Sequence, residues 1–342
     1  MDESPRFAPK PPWLKVRAPG GERHAQLKET FRRLDLHTVC EEARCPNVGE
    51  CWGEGTATVM LLGDTCTRGC RFCAVKTGQP RGAVDGREPE HVARALSSMP
   101  LQYVVMTMVD RDDLLDGGAG HVAKTVRRLK ELRPDMLVET LLGDFAGHRD
   151  AVDASVDGGQ DVWAHNVEVV ARLQRAIRDV RCSYEQSLTV LRWAKERRPT
   201  AITKSSIMVG IGETDDEVVE TMGDLRAAGV DVVTIGQYLR PSAKHAPVER
   251  YVEPARFEAW AAQGRAMGFA YVASGPLVRS SYKAAEVYVR SVLRPGDPEG
   301  ADALLRVRHP LAQATSTASA ASTSELAARE AALLIPARAL VR

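Results

Sequence analysis

Six cysteines fall between positions 40 and 73, and a seventh, Cys182, stands apart. The six form two groups of three: Cys40, Cys45 and Cys51 spaced C-x4-C-x5-C, and Cys66, Cys70 and Cys73 spaced C-x3-C-x2-C. Seven cysteines in 342 residues are too few for a disulfide scaffold. With no apolar export-type run in the first thirty residues, clustered thiols point to metal. Zinc usually takes paired cysteines, C-x2-C twice or C-x2-C with two histidines, closing a tetrahedron. Neither group here opens with C-x2-C, and no histidine pair follows nearby. Three thiolates suit three corners of a cubane 4Fe–4S cluster and leave the fourth iron for another ligand. The spacing therefore favours two iron–sulfur clusters, with zinc as the alternative. Cys182 precedes a helical run from Tyr184 to Arg197 and reads as a buried apolar thiol. Phe72, beside Cys73, reads equally well as packing around a cluster or as a plain core aromatic.

The elements that must position these groups follow from the hydrophobic pattern. Pro11, Pro12, Gly20 and Gly21 break up the start, and residues 1–56 read as a loop-rich extension carrying the first cysteine group. Strands are expected over Thr58–Leu62, Gln102–Thr107, Leu137–Leu141, Asp161–Ala164, Ala201–Val209 and Asp231–Ile235. Between them, apolar residues recur three or four apart, as in Val122, Val126, Leu129 and in Val218, Met222, Leu225. Thr214 and Glu217 make a capping box ahead of the second run. Pro254 opens a further helix to about Met267, with Gly268 as its C-terminal cap. Six β/α units in a row mean a parallel sheet with helices outside. Six rather than eight predicts an α/β fold of the partial (β/α)6 TIM-like barrel type, with its chemistry at the carboxyl ends of the strands. The second cysteine group sits just past the first strand. A doubly wound sheet is the weaker alternative, because no G-x-G-x-x-G follows that strand.

Composition narrows the function classes. Hydrophobic residues at 44% and charged residues at 27% permit a sizeable core. A net charge of +1 gives no basic excess for phosphate neutralisation, and 5% aromatics argues against base stacking. Nothing resembles a signal peptide or reaches membrane-spanning length, so a cytoplasmic location is expected. From Ala312 to Ser324 every residue but Gln313 is Ala, Ser or Thr, and the tail is expected to be poorly ordered apart from a short helix over Glu325–Leu334. The expected division is 1–56, a barrel over 57–270, a C-terminal segment over 271–290 and the tail over 291–342.

C-x3-C-x2-C after the first strand of a β/α repeat resembles the signature of the radical S-adenosylmethionine (SAM) superfamily. Longer segments resemble the lipoyl synthase family: "KPPWLKVRAP" (10–19), "TVCEEARCPNVGECW" (38–52), "TATVMLLGDTCTRGCRFCAV" (56–75), "VDRDDLLDGGAGH" (109–121), "VWAHNVE" (162–168), "TKSSIMVGIGETDDEV" (203–218), "VTIGQYLRPS" (233–242) and "SGPLVRSSYKAAE" (274–286). The likeness runs from about residue 10 to 286. The C-x4-C-x5-C group together with Arg-Ser-Ser-Tyr separates this family from other radical SAM enzymes.

The resemblance implies that Cys66, Cys70 and Cys73 hold the cluster whose open iron is chelated by SAM. It implies that Cys40, Cys45 and Cys51 hold an auxiliary 4Fe–4S cluster, with Ser281 as fourth ligand and Arg279 beside it. That auxiliary cluster would give up two sulfurs to C6 and C8 of an octanoyl group on a lysine of a carrier protein, one SAM being spent per insertion. Thr107, Asn166, Glu168 and Glu213 are the SAM contacts implied. The implied partners are lipoyl domains of 2-oxoacid dehydrogenase E2 subunits, the glycine cleavage H protein, an electron donor such as flavodoxin or ferredoxin, and a carrier that repairs the spent cluster.

Five positions depart from the family pattern. Met108 stands where Ser is usual, Ala164 for Asn, Val169 for Thr, Gly143 for Pro and Ser206 for Gly. Met108, Ala164 and Ser206 fall at strand ends, where such enzymes hold SAM, so the expected effect is weaker or compensated SAM binding. A related radical SAM enzyme acting on a different acyl substrate, and a non-catalytic iron–sulfur or zinc protein, are the alternatives.

Overall fold

A computed structural model describes residues 9–17, 20, 22–34, 36–42, 45, 47–48, 58–99, 101–281 and 334–336. Its centre is a parallel sheet of seven strands: β1 (Thr58–Leu61), β2 (Tyr103–Met108), β3 (Leu137–Leu141), β4 (Val162–Ala164), β5 (Ile202–Val209), β6 (Val232–Gln237) and β7 (Tyr271–Gly275). They lie side by side in chain order, and β1 and β7 are the two edges. Six helices of eight or more residues connect them: α1 (Glu88–Ser97), α2 (Ala119–Leu132), α3 (Arg149–Val156), α4 (Tyr184–Arg197), α5 (Asp215–Ala227) and α6 (Pro254–Ala266).

The strands are near-continuous apolar runs because both faces are covered. One set of alternate residues, including Val104, Met106, Val138, Trp163, Val233 and Ile235, joins the large core beneath the helices. The other set, Tyr103, Val105, Leu137, Val162, Ile202 and Val232, forms a second cluster, with Tyr271 packed against it. Inward residues from five strands and the edge residue Tyr271 meet one another only if the sheet curls, which makes this a partial barrel with a filled lower half. Within that lower half Lys204 and Glu139, both almost wholly buried, pair at 2.7 Å, and the Tyr103 hydroxyl donates to Glu139.

The expected helices form for the expected reasons. Val122, Val126 and Leu129 bury one stripe of α2, and Val218, Met222 and Leu225 one stripe of α5. The capping box of Thr214 and Glu217 is made in both directions. Gly268 ends α6 at a φ of +85°, where a side chain would be strained.

The strand β7 departs from expectation. Its sequence, Tyr-Val-Ala-Ser-Gly, lacks a β-branched run, and it was expected to belong to the segment after the barrel; pairing along β6 from Tyr271↔Val232 to Gly275↔Gly236 makes it a strand. In the tail, Leu334–Pro336 pairs antiparallel with Lys15–Arg17. The rest of 291–342, including the helix expected up to Leu334, lies outside the described residues.

Candidate functional site

A cavity of about 610 Å³ opens at the carboxyl ends of the strands. Thr107 and Met108 reach it from the end of β2, Leu141 to Asp144 from β3, His165, Asn166 and Glu168 from the segment after β4, Ser206 to Met208 from β5, and Gly236 and Gln237 from β6. These inward positions lie two residues further along each strand than the layer holding Val105, Glu139 and Lys204, so the buried Lys204–Glu139 pair is one layer below the cavity.

The second cysteine group stands on one wall. Cys66 ends a two-residue strand, Thr65–Cys66, paired in parallel with Lys76–Thr77, and the loop between carries Cys70 and Cys73. Backbone N–H groups point at two of the sulfurs: Arg68 donates to Cys66 Sγ at 3.4 Å and Asp179 to Cys70 Sγ at 3.3 Å. Burial pushes the Cys66 thiol up to about 12, with the Asp110 carboxylate adding to it, and the Cys73 thiol up to about 11. As free side chains these are therefore neutral thiols, and metal must displace their protons.

Arg68 locks this loop to the barrel. Its side chain is 2% exposed and its guanidinium meets Asp112 at 2.7 Å, Asp144 at 2.7 Å and Asp110 at 3.5 Å. Burial raises Asp144, but Arg68 overrides it and holds that carboxyl at about 2. Asp110 is pushed the other way, up to about 6, by burial that Arg68 only partly offsets and by Asp144 and Asp112 beside it. His165 is kept neutral, at about 4, by burial first and then by Arg178, with its ring between the Leu142 carbonyl (2.8 Å) and the Ser187 hydroxyl (3.0 Å).

A further part of the wall comes from the N-terminal segment and from the turn after β7. Cys40 lies on the short helix Val39–Glu42, and Cys45 follows it, its N–H bonded to the Cys40 carbonyl at 3.1 Å. Arg279, Ser280 and Ser281 reach the same cavity from the turn after β7. Asn47 joins the two segments: its side-chain N–H donates to the Leu277 carbonyl at 2.6 Å. Gly236 makes room for the turn, since a Cβ there would stand 2.0 Å from the Val278 carbonyl oxygen. Burial pushes the Cys45 thiol up while Arg279 draws it down.

A family model for the radical SAM superfamily matches residues 60–225, and one for the N-terminal domain of lipoyl synthase matches residues 4–45. The lipoyl synthase of Sorangium cellulosum (strain So ce56) is 71% identical over 305 residues, covering 85% of this chain and 82% of the relative. The chloroplastic lipoyl synthase of Arabidopsis thaliana is 55% identical over 290 residues, covering 83% of this chain and 74% of its own. The chain belongs to the lipoyl synthase family of radical SAM enzymes. Among solved structures, Streptococcus suis SuiB bound to S-adenosylmethionine superposes with a TM-score of 0.50 at 10% identity, over 73% of this chain and 59% of that one, which is a likeness of fold.

Lipoyl synthases use SAM and 4Fe–4S clusters, an auxiliary cluster included. The residues present fit such groups. Five described cysteines of the two triads face one cavity with no disulfide among them. Buried polar atoms there, Arg178 Nε and Arg279 Nη2, have no protein partner and are available to a bound group. Cys51 lies outside the described residues, as does 282–286 of the Arg-Ser-Ser-Tyr segment.

The remaining lipoyl synthase positions divide. Thr107, Asn166 and Glu168 line the cavity; the Thr107 hydroxyl donates to the Leu141 carbonyl at 3.0 Å and the Asn166 amide to Glu168 at 3.0 Å. Glu168 adopts a φ of +69°, and burial raises its carboxyl. Glu213 does not line the cavity. Its two oxygens accept the N–H groups of Gly210 (2.7 Å) and Ile211 (3.0 Å), so it closes the turn after β5 and is not an expected SAM contact that the geometry supports. Of the departures, Met108, Gly143 and Ser206 line the cavity, whereas Ala164 and Val169 are buried away from it. A Cβ at Gly143 would stand 2.2 Å from Asp110 Oδ1, so the usual proline there would displace that carboxylate.

Two features escaped the sequence reading. Arg178 and Cys182, from the loop after β4, line the cavity beside Cys70. Cys182 is buried as expected, but its surroundings are polar rather than apolar: Arg68 Nη1 donates to its sulfur at 3.3 Å. The signal was the charged run around it, Arg178, Asp179 and Arg181, in a loop at the carboxyl end of a strand.

Proposed function

We propose that this chain inserts two sulfurs, at C6 and C8, into an octanoyl group carried on a lysine of a lipoyl carrier protein. The observation that carries this reading is that the five described cysteines of the two groups and Ser281 all open into one cavity. A hydrogen-abstracting centre and a sulfur source must reach the same acyl chain, and a shared cavity allows it. When bound, SAM and the radical cluster supply hydrogen abstraction from an unactivated carbon, and the auxiliary cluster is the sulfur-donating substrate.

The chain's own residues bind, orient and exclude water. Cys66, Cys70 and Cys73 hold the radical cluster; Cys40, Cys45, Cys51 and Ser281 hold the auxiliary one, with Arg279 balancing charge beside it. Thr107, Asn166 and Glu168 position SAM. Met60, Leu141, Ile207 and Val278 give the cavity an apolar wall suited to an acyl chain. The division into 1–56, 57–270, 271–290 and 291–342 assigns the auxiliary cysteines to the first part and the serine ligand to the third, with β7 bridging the second and third. The carriers are E2 lipoyl domains and the glycine cleavage H protein, with a flavodoxin- or ferredoxin-type donor, a repair carrier and a cytoplasmic location. Among the described residues no helix is long and apolar enough to cross a membrane.

The test is anaerobic turnover with SAM, a low-potential reductant and an octanoyl-lysine peptide, read by mass spectrometry. A mass gain of two sulfurs is expected. SAM cleavage with no sulfur in the peptide overturns the reading.

A further inference from the structure

The loop that carries Cys70 has two sides, and only one of them faces the cavity. Cys70, Phe72 and Cys73 line the cavity, whereas Gly69 and Arg71, the chain neighbours of Cys70, are exposed. Two further segments close around this outer side. The Gly69 N–H donates to Asp179 at 2.8 Å, the Arg71 N–H to the Ile177 carbonyl at 2.8 Å and the Arg71 guanidinium to the Ala176 carbonyl at 3.0 Å. From the segment after β6, the Ala246 N–H donates to the Arg71 carbonyl at 2.9 Å, and the His245 ring meets the Cys73 carbonyl at 3.0 Å. These contacts gather exposed Arg175, Ala176, Val180 and Lys244 around Arg71. Val180 is 91% exposed, an apolar side chain offered to solvent. None of these five residues lines the cavity.

This face is positive. Neighbouring cations are neutralised: Lys76 pairs with Asp64, Arg172 with Glu217, and Arg181 with Asp179 and Asp112. Arg71, Arg175 and Lys244 form no ion pair among the described residues, in a chain whose net charge is only +1. We propose that Arg71, Arg175 and Lys244, set around Val180, are the docking face for a small acidic electron-transfer protein that reduces the radical cluster. This rests on the reading of Cys66, Cys70 and Cys73 as ligands of that cluster. Each encounter moves one electron: the donor is oxidised by one, the cluster is reduced by one, and no bond breaks. Electron transfer weakens steeply with separation, so a donor gains by approaching where a ligand is flanked by exposed residues. It need not enter the cavity. An acyl chain on a carrier must enter it, and the face lies outside the cavity lining, so the face suits the donor rather than the carrier. Electron-transfer encounters bury small areas and take their rate from complementary charge, which a few unpaired cations around one apolar contact supply.

The test compares two reductants on the holoenzyme: a reduced flavodoxin of strongly negative net charge, and dithionite, which needs no docking face. With Arg175→Glu and Lys244→Glu combined, flavodoxin-driven 5′-deoxyadenosine formation is expected to fall about tenfold at low salt. The dithionite-driven rate is expected to match the parent, and high salt to bring the two flavodoxin-driven rates together. Arg71→Gln is expected to act in the same direction by a smaller factor. An unchanged flavodoxin-driven rate in the double variant overturns the proposal. So does an equal fall with both reductants, which places the effect on the cluster or the fold. A raised KM for an octanoylated lipoyl domain under dithionite assigns the face to the carrier and also overturns it. Sulfur insertion by the parent under dithionite, measured in parallel, separates the two readings. An inserting parent with an unaffected double variant overturns only the docking face, and a parent that cleaves SAM without inserting sulfur overturns only the function. A parent that does not cleave SAM overturns both.

Discussion

Around Cys66, Cys70 and Cys73 the chain is tied down from several directions at once. Arg68 binds three carboxylates from the segments after β2 and β3, Thr67 bonds Asp112 at 2.7 Å, and Arg181 from the β4 loop reaches the same Asp112 at 3.2 Å. Around Cys40 and Cys45 the ties among the described residues lie between segments far apart in sequence. Asn47 holds Leu277 across 230 residues, and the N-terminal segment meets β1 through the Met60 N–H on His37 (2.9 Å) and the bridge Thr38↔Val59. The difference matches the two jobs. A cluster that must survive turnover sits in a charged lattice braced on the sheet. On the proposed function, the cluster that is spent is held between the Cys40–Cys45 segment and the turn after β7, which Asn47 ties together.

The sharpest way to break this comparison is to remove ligands on each side. Cys66→Ala, Cys70→Ala or Cys73→Ala is expected to abolish 5′-deoxyadenosine formation, while Cys40→Ala, Cys45→Ala or Cys51→Ala leaves it largely intact and stops sulfur transfer. Ser281→Ala belongs with the second set, cleaving SAM without completing a lipoyl group. Chromatographic assay of 5′-deoxyadenosine beside mass spectrometry of the peptide checks all seven; loss of cleavage in folded protein of the second set would refute the division.

Next in size is the bracing itself. Arg68→Met strands the buried Asp144 without a counter-charge and leaves Asp112 only Arg181, at a cost of about 3–5 kcal/mol. Denaturant unfolding of the cluster-free chain, compared with the parent, measures it. A loss below about 1 kcal/mol, the scale of an exposed pair, would show that the network is not the anchor inferred here.

Asn47→Ala should act on the other side alone. Losing a buried amide bond costs about 1–2 kcal/mol, small enough for the chain to remain folded. Mössbauer spectra should show the auxiliary cluster depleted while the SAM-sensitive cluster keeps its signal. Equal loss of both would erase the contrast between the two walls.

The smallest effect expected is at the SAM-facing departures. Met108→Ser with Ser206→Gly should tighten SAM binding by up to tenfold, since each change restores the residue usual at a cavity position. Isothermal titration on the holoenzyme gives the answer, and unchanged affinity would mean that the pocket has been rearranged around Met108. Ala164→Asn is a different matter: that site is buried away from the cavity, so the substitution should cost stability and not improve SAM binding.

Much of this protein is determined by the sequence alone because its signals are local. Thiol spacing selects the cluster chemistry, and both groups stand close enough in the chain to be counted. Apolar runs flanked by helical periodicity mark six of the seven strands, since a strand buried on both faces has to be apolar nearly throughout. The capping box and the glycine after α6 depend on neighbours within a few residues.

What only the tertiary structure decided depends on groups that lie far apart in the chain. Tyr271–Gly275 is a strand because β6 offers it an edge, not because of its own composition. The family likeness makes Glu213 a SAM contact, yet Arg250, 37 positions later, meets its carboxylate at 3.3 Å and holds it at the turn after β5. Cys182 reads as an inert apolar thiol until Arg68, 114 positions earlier, is found against its sulfur. In each case the partner is brought in by the curling of the sheet, and burial then makes a single hydrogen bond decide what the residue does.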